Sequence, residues 1–332
     1  MAWHRRCRHR RPVTRRVAAV DCGTNSIRLL IADVGADGRL VDVRREMRVV
    51  RLGQGVDATG TFAPEAIERT RVALVEYASM IAMPSNRRSN GRDVGYSRRC
   101  ESEDFFTMTR DVLGAVIPGS GAEVITGDEE ARLSFGGAVG ELDPSEGPFV
   151  VVDLGGGSTE VVLGDASGVQ AAYSTDIGCV RVTERCLPSD PPTAEQVSEA
   201  TAFATAKLAE AFEAVPVEKA HTWVGVAGTM TTLAAIAQEL PEYDAEKVHL
   251  SRIPFKQLFD VCERLTAMPR VDRAAFGPMH PGRVDVIGGG AIITTVLAQT
   301  FEARAGITEL VVSEHDILDG IAMSIAQTHP IV

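Results

Sequence analysis

The sequence predicts an α/β protein of two similar domains, with the active site in the cleft between them. At 332 residues the chain is long enough for about two domains of ordinary size. A strand, a glycine-containing turn and a second strand follow one another from Val17 and again from Pro148, and predicted helices come after each copy. Two copies of one unit of strands and helices indicate two domains that face each other across a cleft.

The repeat also sets the expected domain boundaries. The first copy predicts a domain over residues 13–140, and the second copy predicts a domain over residues 141–332. The opening stretch, "MAWHRRCRHRRPVTRR", is basic and has no apolar segment, so it does not fit a secretory signal. We interpret residues 1–12 as a non-native or disordered extension and Val13 as the true start, with an Arg-rich mitochondrial presequence as the alternative.

The first copy predicts a three-stranded meander and then helices. Residues 17–50 are apolar and β-branched with Gly and Asp at the turns, which is typical of strands. Helices are predicted over residues 63–81, where Pro64 suits the first turn, and over residues 104–113. "AEVIT" predicts a short strand, and "GDEEARLSFGGAVG" predicts a helix whose first turn is rich in carboxylates.

The second copy predicts another meander, followed by more helices. Its strands are "PFVVVDL", "STEVVLGD" and "VQAAYSTDIG". Helices are predicted after them near residues 193–214, 228–240, 254–268, 284–303 and 314–327.

The composition excludes several classes of protein. Hydrophobic residues make up 45% of the chain and charged residues 24%, and no apolar run approaches the roughly 18 to 20 residues that a membrane span needs. A formal net charge of −11 argues against nonspecific binding of nucleic acid or of an acidic membrane. The six cysteines show neither a CxxC pair nor zinc spacing, so a reduced, cytoplasmic protein is the default.

Two glycine turns carry the strongest chemical signal. "DCGTNSIR" and "DLGGGSTE" each lead from one strand into another, so neither opens a helix as a dinucleotide fingerprint does, and neither contains the GK[ST] of a Walker loop. In such a hairpin, successive backbone N–H groups and hydroxyls can bind phosphate without net positive charge. Either turn alone is explained as well by a plain hairpin with glycines at positive φ. Together, each with an Asp suited to Mg²⁺ at its strand end, they indicate a phosphate site.

Four motifs in this order resemble one known family. "DCGTNSIR", "TGDEEARLSFGGA", "DLGGGSTE" and "VGVAGTMTTLAA" are similar to the exopolyphosphatase and guanosine pentaphosphate phosphohydrolase (Ppx/GppA) family in its short two-domain form, from about Val17 to Ala326. The resemblance implies the actin-like, ribonuclease H-like fold of sugar kinases and Hsp70, with two domains of mixed sheets flanked by helices. It also implies Mg²⁺-dependent hydrolysis of terminal phosphoanhydride bonds with release of orthophosphate.

The resemblance assigns roles to residues that match the family's motifs. Phosphate binding falls on both loops, at Gly23, Thr24, Asn25, Ser26, Gly155, Gly156, Gly157, Ser158 and Thr159. Glu130 matches the general base that activates water, with Glu129 as the alternate. Asp153 and Glu160 match positions that organise Mg²⁺ or the attacking water, and Asp21, at the end of the first strand, is the third candidate metal ligand. Two glutamates at a helix start are explained equally by a favourable interaction with the helix dipole.

The motifs leave the substrate open. Inorganic polyphosphate is the leading candidate and guanosine pentaphosphate is the alternative, for which residues 225–229 could hold a nucleotide tail. A kinase of the same fold would share the loops but would need ATP and an acceptor. A different class is a weakly catalytic protein that binds polyphosphate or guanosine tetraphosphate. The resemblance implies a homodimer, and neither nucleic acid nor a membrane is expected as a partner.

Some single residues carry weaker expectations. Arg28 departs from the apolar residue or His of relatives, and its role is open. Arg283 and Asp285 are predicted to form an internal ion pair, and His280 and His315 lack ligand spacing.

Residues 90–102, "NGRDVGYSRRCES", fit neither neighbouring helix and show no hydrophobic period of 2 or 3.6. Members of the family have a buried strand here that resembles "MVATSATRDAANR", with a Thr and an Arg that reach the cleft. Translated one base later, each triplet of the stretch is compatible with that family sequence. We hypothesise compensating frame shifts, one near residues 82–89 and one near residues 102–103, with a basic substrate loop as the alternative. The first domain is then expected to lose an apolar strand and a phosphate-binding Arg.

Overall fold

The computed structural model describes residues 13–23, 25–35, 39–54, 56–83, 89–96 and 103–328. For residues 89–96 the description covers the backbone. The expected extension over residues 1–12 and the predicted phosphate ligand Thr24 lie outside the described residues.

The first sheet is a mixed sheet. Its strands are β1 (Val13–Cys22), β2 (Ser26–Gly35), β3 (Leu40–Val49), β4 (Ser89–Tyr96) and β5 (Glu123–Val124), in the order β3-β2-β1-β4-β5. The predicted meander is confirmed, because β1 pairs antiparallel with β2 and β2 pairs antiparallel with β3. β4 and β5 join the other side of β1 in parallel.

β4 lies where the sequence predicts no strand. Its backbone pairs with β1, so that Ala18 lies opposite Arg92 and Val20 lies opposite Val94. The expectation that the sheet loses this strand is therefore wrong for the backbone. The N–H and C=O groups of β1 need partners whatever side chains the neighbouring segment carries, and this tertiary demand overrides a weak local pattern. The frame-shift hypothesis concerns side chains and codons, and it stays a hypothesis.

The helices of this half of the chain are α1 (Val56–Thr59), α2 (Pro64–Ala82), α3 (Glu103–Gly114) and α4 (Gly127–Val139). α2 begins at Pro64 as predicted, and its buried Tyr77 donates a hydrogen bond to the carbonyl oxygen of Ile27 at 2.9 Å. At the start of α4, the Thr126 hydroxyl accepts a hydrogen bond from the N–H of Glu129 at 3.2 Å. This cap fixes the first turn of the helix that carries both candidate catalytic glutamates.

The second sheet repeats the meander of the first and extends it. Its strands are β6 (Phe149–Leu154), β7 (Thr159–Asp165), β8 (Gly168–Thr175), β9 (Thr222–Val226), β10 (Ser251–Pro254) and β11 (Glu309–Val312), in the order β10-β11-β9-β6-β7-β8. β6, β7 and β8 form the predicted antiparallel meander, and β9 lies parallel to β6. The sequence predicts none of β9, β10 and β11, because strands of 4 or 5 residues show little periodicity.

The remaining helices are α5 (Cys179–Cys186), α6 (Ala194–Ala214), α7 (Ala227–Ala237), α8 (Ala245–Val248), α9 (Phe255–Ala267), α10 (Arg270–Arg273), α11 (Ile287–Ala305) and α12 (Ile317–Thr328). The helices predicted in this half are confirmed to within a few residues as α6, α7, α9, α11 and α12. α5 is not predicted, because β-branched and Cys residues in "CVRVTERC" weaken its helical signal. None of the described helices is long and apolar enough to cross a membrane.

The helices α4 and α12 each pack on the sheet of the other half of the chain. α4 buries Phe135 in a cluster with Phe149 and Val151 of β6. α12 buries Ile321 in a cluster with Val17 of β1 and Leu30 of β2. The chain therefore returns to the first sheet after it has completed the second.

The two helices touch through glycine where they cross. A Cβ atom on Gly137 of α4 would lie 1.9 Å from the carbonyl oxygen of Asp316, just before α12. A Cβ atom on Gly320 of α12 would lie 2.0 Å from the carbonyl oxygen of Leu133. Glycine is required at both positions because any side chain would force the backbones apart.

Candidate active site

The two predicted phosphate loops form the same turn. In the first loop the N–H of Gly23 donates to the carbonyl oxygen of Ser26 at 2.9 Å. In the second loop the N–H of Gly155 donates to the carbonyl oxygen of Ser158 at 3.1 Å. The two loops are thus similar in their backbone hydrogen bonds as well as in their sequences.

The loops face each other across the cleft. A Cβ atom built on Gly156 of the second loop would lie 3.4 Å from the Cβ of Asn25 in the first. An anion bound beside both loops would contact both halves of the chain.

The start of α5 donates backbone hydrogen bonds to the second loop. The N–H of Cys179 donates to the carbonyl oxygen of Gly155 at 3.0 Å, and the N–H groups of Val180 and Arg181 donate to that of Gly156 at 3.0 and 3.2 Å. A Cβ atom on Gly178 would lie 2.3 Å from the Gly156 carbonyl oxygen, so only glycine allows this approach. These hydrogen bonds fix the backbone of the second loop, and the start of α5 lines the cleft beside it.

The cleft contains a smaller cavity of about 170 Å³ and a larger one of about 550 Å³. The smaller cavity is lined by parts of both phosphate loops and by the start of α7. The two cavities share Asn25, Glu130, Gly156, Ser158, Glu160 and Val286 as lining residues. The two cavities therefore adjoin each other, with residues of both phosphate loops between them.

Asp153 and Glu160 concentrate negative charge beside the second loop. The two residues are cross-strand partners in β6 and β7. Burial raises the pKa of both carboxyl groups, and each is raised further by a neighbouring acid, Glu160 in the case of Asp153 and Glu130 in the case of Glu160. The Ser174 hydroxyl donates to Glu160 at 2.8 Å and opposes this shift. A cation in this position would relieve the repulsion between the acids.

Arg28 supplies a fixed cation beside the first loop. Its Nε and Nη2 donate to Asp21 Oδ2 at 3.0 and 2.6 Å, and its Nη1 donates to Asp316. Asp21 and Asp316 are both buried, at 7% and 4% exposure, so each carboxylate needs this partner. The role of Arg28, which the sequence leaves open, includes neutralising two buried acids.

The structure brings most of the predicted site residues together. The smaller cavity is lined by Asp21, Gly23, Asn25, Ser26, Glu130, Asp153, Gly155, Gly156, Ser158 and Glu160, and the larger one adds Gly157. Of the two candidate bases, Glu130 lines both cavities, whereas Glu129 is not among the lining residues of either. The geometry therefore favours Glu130.

The side chain of Thr159 does not fit the predicted role in phosphate binding. Its side chain is fully buried, and its hydroxyl donates to the carbonyl oxygen of Ile177 at 2.6 Å. Successive side chains of a strand point to opposite faces, so Ser158 and Glu160 face the cleft while Thr159 faces the core. The alternation of β7 could have shown this from the sequence.

Arg283 is a functional candidate whose position the sequence does not reveal. It enters the smaller cavity, and its Nη1 donates to the Thr232 hydroxyl at 2.9 Å. Burial lowers its pKa. The predicted ion pair with Asp285 is wrong, because Asp285 lies instead beside two other arginines on the wall of the larger cavity. Gly228 makes room for the guanidinium group of Arg283, because a Cβ atom at Gly228 would lie 2.3 Å from Arg283 Nη2.

Among the described residues, one group outside the cleft brings metal-ligating atoms together. Ligand atoms of Glu141, His249 and His315 lie within 4.8 Å of one another. His249 Nδ1 accepts the N–H of Glu314 at 3.2 Å, which leaves the ring proton on Nε2, and this nitrogen faces Glu141 at 3.4 Å. In this tautomer Nε2 is a donor to a carboxylate and not a metal ligand. The sequence did not show the group, because its members are far apart in the chain.

Comparison with known proteins decides the family. The profile of the Ppx/GppA phosphatase family matches residues 30–325. The chain belongs to this family. It is 62% identical over 315 residues to Exopolyphosphatase 2 of Mycobacterium tuberculosis, covering 94% of this chain and 98% of that protein.

Solved Ppx/GppA structures agree with the fold. A crystal structure of an exopolyphosphatase-like protein has a TM-score of 0.85 at 42% identity, covering 94% of this chain and 98% of that one. The crystal structure of the Aquifex aeolicus member of the Ppx/GppA family has a TM-score of 0.77 at 31% identity, covering 96% and 100%. The expected actin-like α/β fold and the class of phosphoanhydride hydrolase are therefore confirmed.

Phosphatases of the Ppx/GppA family are generally metal-dependent, and the residues of this cleft fit a hard divalent cation. Asp153 and Glu160 provide oxygen ligands and a local excess of negative charge. Asp21 is already bound by Arg28, so it is the least available of the three predicted metal ligands.

Proposed function

We propose that this protein hydrolyses the terminal phosphoanhydride bond of inorganic polyphosphate and releases orthophosphate. The observation that carries this proposal is the pair of matching backbone turns that face each other, with Glu130, Asp153 and Glu160 around the space between them. Phosphoryl transfer to water needs positioning, charge neutralisation and an oriented water molecule, and this arrangement offers all three.

In this proposal each group has one task. Backbone N–H groups of the two loops, with the hydroxyls of Ser26 and Ser158, bind the oxygens of the terminal phosphate. Glu130 orients the attacking water and accepts its proton. Asp153 and Glu160 would hold Mg²⁺, with Asp21 nearby, and the bound ion would neutralise charge on the phosphate oxygens. Arg283 adds positive charge to the smaller cavity, whereas the charge of Arg28 is already balanced by Asp21 and Asp316.

A second candidate substrate is guanosine pentaphosphate. The lining of the larger cavity includes the apolar residues Val56, Phe62, Leu187 and Pro188. A polyphosphate chain has no apolar group to place there, whereas a nucleoside does. Competition between the two substrates for turnover decides which is preferred.

We further propose that the protein acts as a homodimer in the cytoplasm. The described cysteines, Cys22, Cys179, Cys186 and Cys262, are free and buried, which suits a reducing compartment. Light scattering of the purified protein across a concentration series tests the dimer, which fails if the mass stays that of one chain.

Orthophosphate release tests the main proposal. Polyphosphate and guanosine pentaphosphate are supplied in separate assays, none of which contains an acceptor molecule. Each substrate is tested with Mg²⁺ and with Mg²⁺ plus excess EDTA. The proposal requires metal-dependent release from polyphosphate without an acceptor, which a kinase would not give. Tight binding of polyphosphate without release, at any metal tested, would instead identify a binding protein.

A further inference from the structure

Arg51 and Arg270 converge on Asp285 at the wall of the larger cavity. Arg51 Nη2 lies 3.6 Å from Asp285 Oδ2, and Arg270 Nε lies 4.0 Å from Asp285 Oδ1. All three residues line the cavity, and their side chains are about half-exposed. Two guanidinium groups therefore share one carboxylate in a place that a ligand can reach.

The three residues come from opposite sides of the cleft. Arg51 follows β3 of the first sheet, whereas Arg270 begins α10 and Asp285 lies just before α11. The ion pair between Arg51 and Asp285 thus spans the cleft beside the space that continues from the phosphate loops.

The backbone ties Arg51 to the first phosphate loop. Its N–H donates to the carbonyl oxygen of Asn25 at 2.8 Å, and Asn25 lines both cavities. Arg51 has a φ of 49°, in the left-handed region that residues other than glycine rarely adopt. Such strain persists where the surroundings enforce it, and it clusters at functional sites. The backbone of Arg51 is therefore anchored beside the first phosphate loop, and its side chain starts from that position.

The rest of the larger cavity is not a general channel for anions. Its lining includes the carboxylates Asp176, Glu184 and Glu210, and Arg181 lies 3.7 Å from Asp176. Like charges repel a phosphate chain at those places. Arginine from two elements at one point is the arrangement that suits a tetrahedral anion with several oxygens.

We infer that Arg51 and Arg270 form a second anion subsite, for phosphate groups behind the one that is cleaved, and that Asp285 occupies this subsite until a substrate displaces it. The inference rests on the proposed function, because it concerns substrates that extend from the loops into the larger cavity. A short substrate ends before the subsite, so the subsite does not increase its affinity. A long chain reaches the two arginines and competes with the Asp285 carboxylate, so Asp285 sets how strongly the enzyme favours long chains.

Four single variants test the inference: Asp285→Asn, Arg51→Gln, Arg270→Gln and, as a charge-matched control, Asp260→Asn on the exposed side of α9. Binding of tripolyphosphate and of long-chain polyphosphate is measured by calorimetry in EDTA, where turnover does not interfere. kcat and KM for both are then measured with Mg²⁺.

Asp285→Asn is expected to tighten binding of the long chain about threefold to tenfold more than binding of tripolyphosphate, as the loss of a competing half-exposed carboxylate allows. Each arginine variant is expected to weaken long-chain binding about tenfold and to affect tripolyphosphate much less. The double variant Asp285→Asn with Arg51→Gln should lose the tighter binding of the long chain that Asp285→Asn shows. Asp260→Asn should bind both ligands as the wild type does.

The outcomes separate this inference from the proposed function. If the wild type releases no orthophosphate but the variants change long-chain binding as expected, the subsite stands and the hydrolase proposal fails. If turnover is normal but Asp285→Asn changes both ligands equally, or weakens the long chain, the subsite inference is overturned. Equal effects of the arginine variants on both ligands would also overturn it.

Discussion

Asp153 and Glu160 are cross-strand partners in β6 and β7, and the equivalent partners in β1 and β2 are Asp21 and Arg28. One copy of the repeat thus pairs two acids, and the other pairs an acid with a cation. The acid pair is left with a negative charge that a metal ion can neutralise, whereas the other pair is neutralised within the chain. This asymmetry explains why we assign the metal to the second-sheet side of the cleft.

The metal-free protein is expected to lose stability as the pH rises from about 4 to about 8. The pKa of Asp153 is raised to about 8 and that of Glu160 to about 7, chiefly by burial. Both carboxyl groups are still partly protonated in the folded state when they are ionised in the unfolded chain, so the folded state binds more protons and its stability falls with pH. Thermal unfolding in EDTA at a series of pH values measures this. Glu160→Gln should flatten the slope, and a stability that rises throughout this range would contradict the assignment.

Glu130→Gln is expected to lower kcat for orthophosphate release by about a hundredfold to ten-thousandfold, because the amide cannot accept a proton from water. Substrate binding should be retained. Steady-state kinetics of Glu130→Gln and of Glu129→Gln, side by side, decide between the two glutamates. A larger loss of kcat in Glu129→Gln would make Glu129 the base.

Thr159→Val is expected to destabilise the fold by about 1 to 3 kcal/mol, because the buried carbonyl of Ile177 loses its hydroxyl partner. Ser158→Ala, one residue earlier, should instead raise KM with a smaller change in stability. Urea unfolding and kinetics of both variants provide the comparison, and Thr159→Ser is the conservative control. A raised KM with unchanged stability in Thr159→Val would return this residue to the phosphate site.

Gly137→Ala is expected to destabilise the protein by about 1 to 3 kcal/mol, since the new methyl group would overlap the backbone before α12. Gly136 is the matched control in the same helix. A Cβ atom there meets nothing within 4 Å, so Gly136→Ala should stabilise by up to about 1 kcal/mol. Chemical unfolding of the two variants measures both effects. Equal responses would show that α4 and α12 are not in backbone contact.

Replacing residues 90–102 with "MVATSATRDAANR" is expected to raise both stability and the rate of orthophosphate release. The restored Arg would supply a transition-state contact worth about a hundredfold in rate. The nucleotide sequence of codons 90–103 gives the direct check. If the frame shifted by one base does not encode the family strand, the hypothesis is wrong, and full activity of the chain as printed would favour the basic-loop alternative.

The sequence predicts the elements that depend on local signals. Both meanders and the long helices follow from alternating or helical periodicity and from punctuating Gly and Pro, so α2 and α6 are placed to within a residue or two. β4 was missed because the demand for its backbone hydrogen bonds comes from β1, which is distant in the chain.

The residues of the site likewise fall into those that local motifs predict and those that they do not. Both phosphate loops and Glu130 are recognisable because their motifs are contiguous in the sequence. The contact of Asp285 with Arg51 cannot be recognised from the sequence, because it forms only when two halves of the chain meet across the cleft. Pairings of this kind depend on tertiary structure, and no local pattern encodes them.

The position of α12 determines when the first sheet can be completed during protein synthesis. Val17 and Leu30, in the first two described strands, are covered by Ile321, which is synthesised about 300 residues later. The first half of the chain therefore cannot mature ahead of the second, as an N-terminal domain ordinarily does. Its apolar face stays exposed to chaperones and to other nascent chains until α12 has been synthesised.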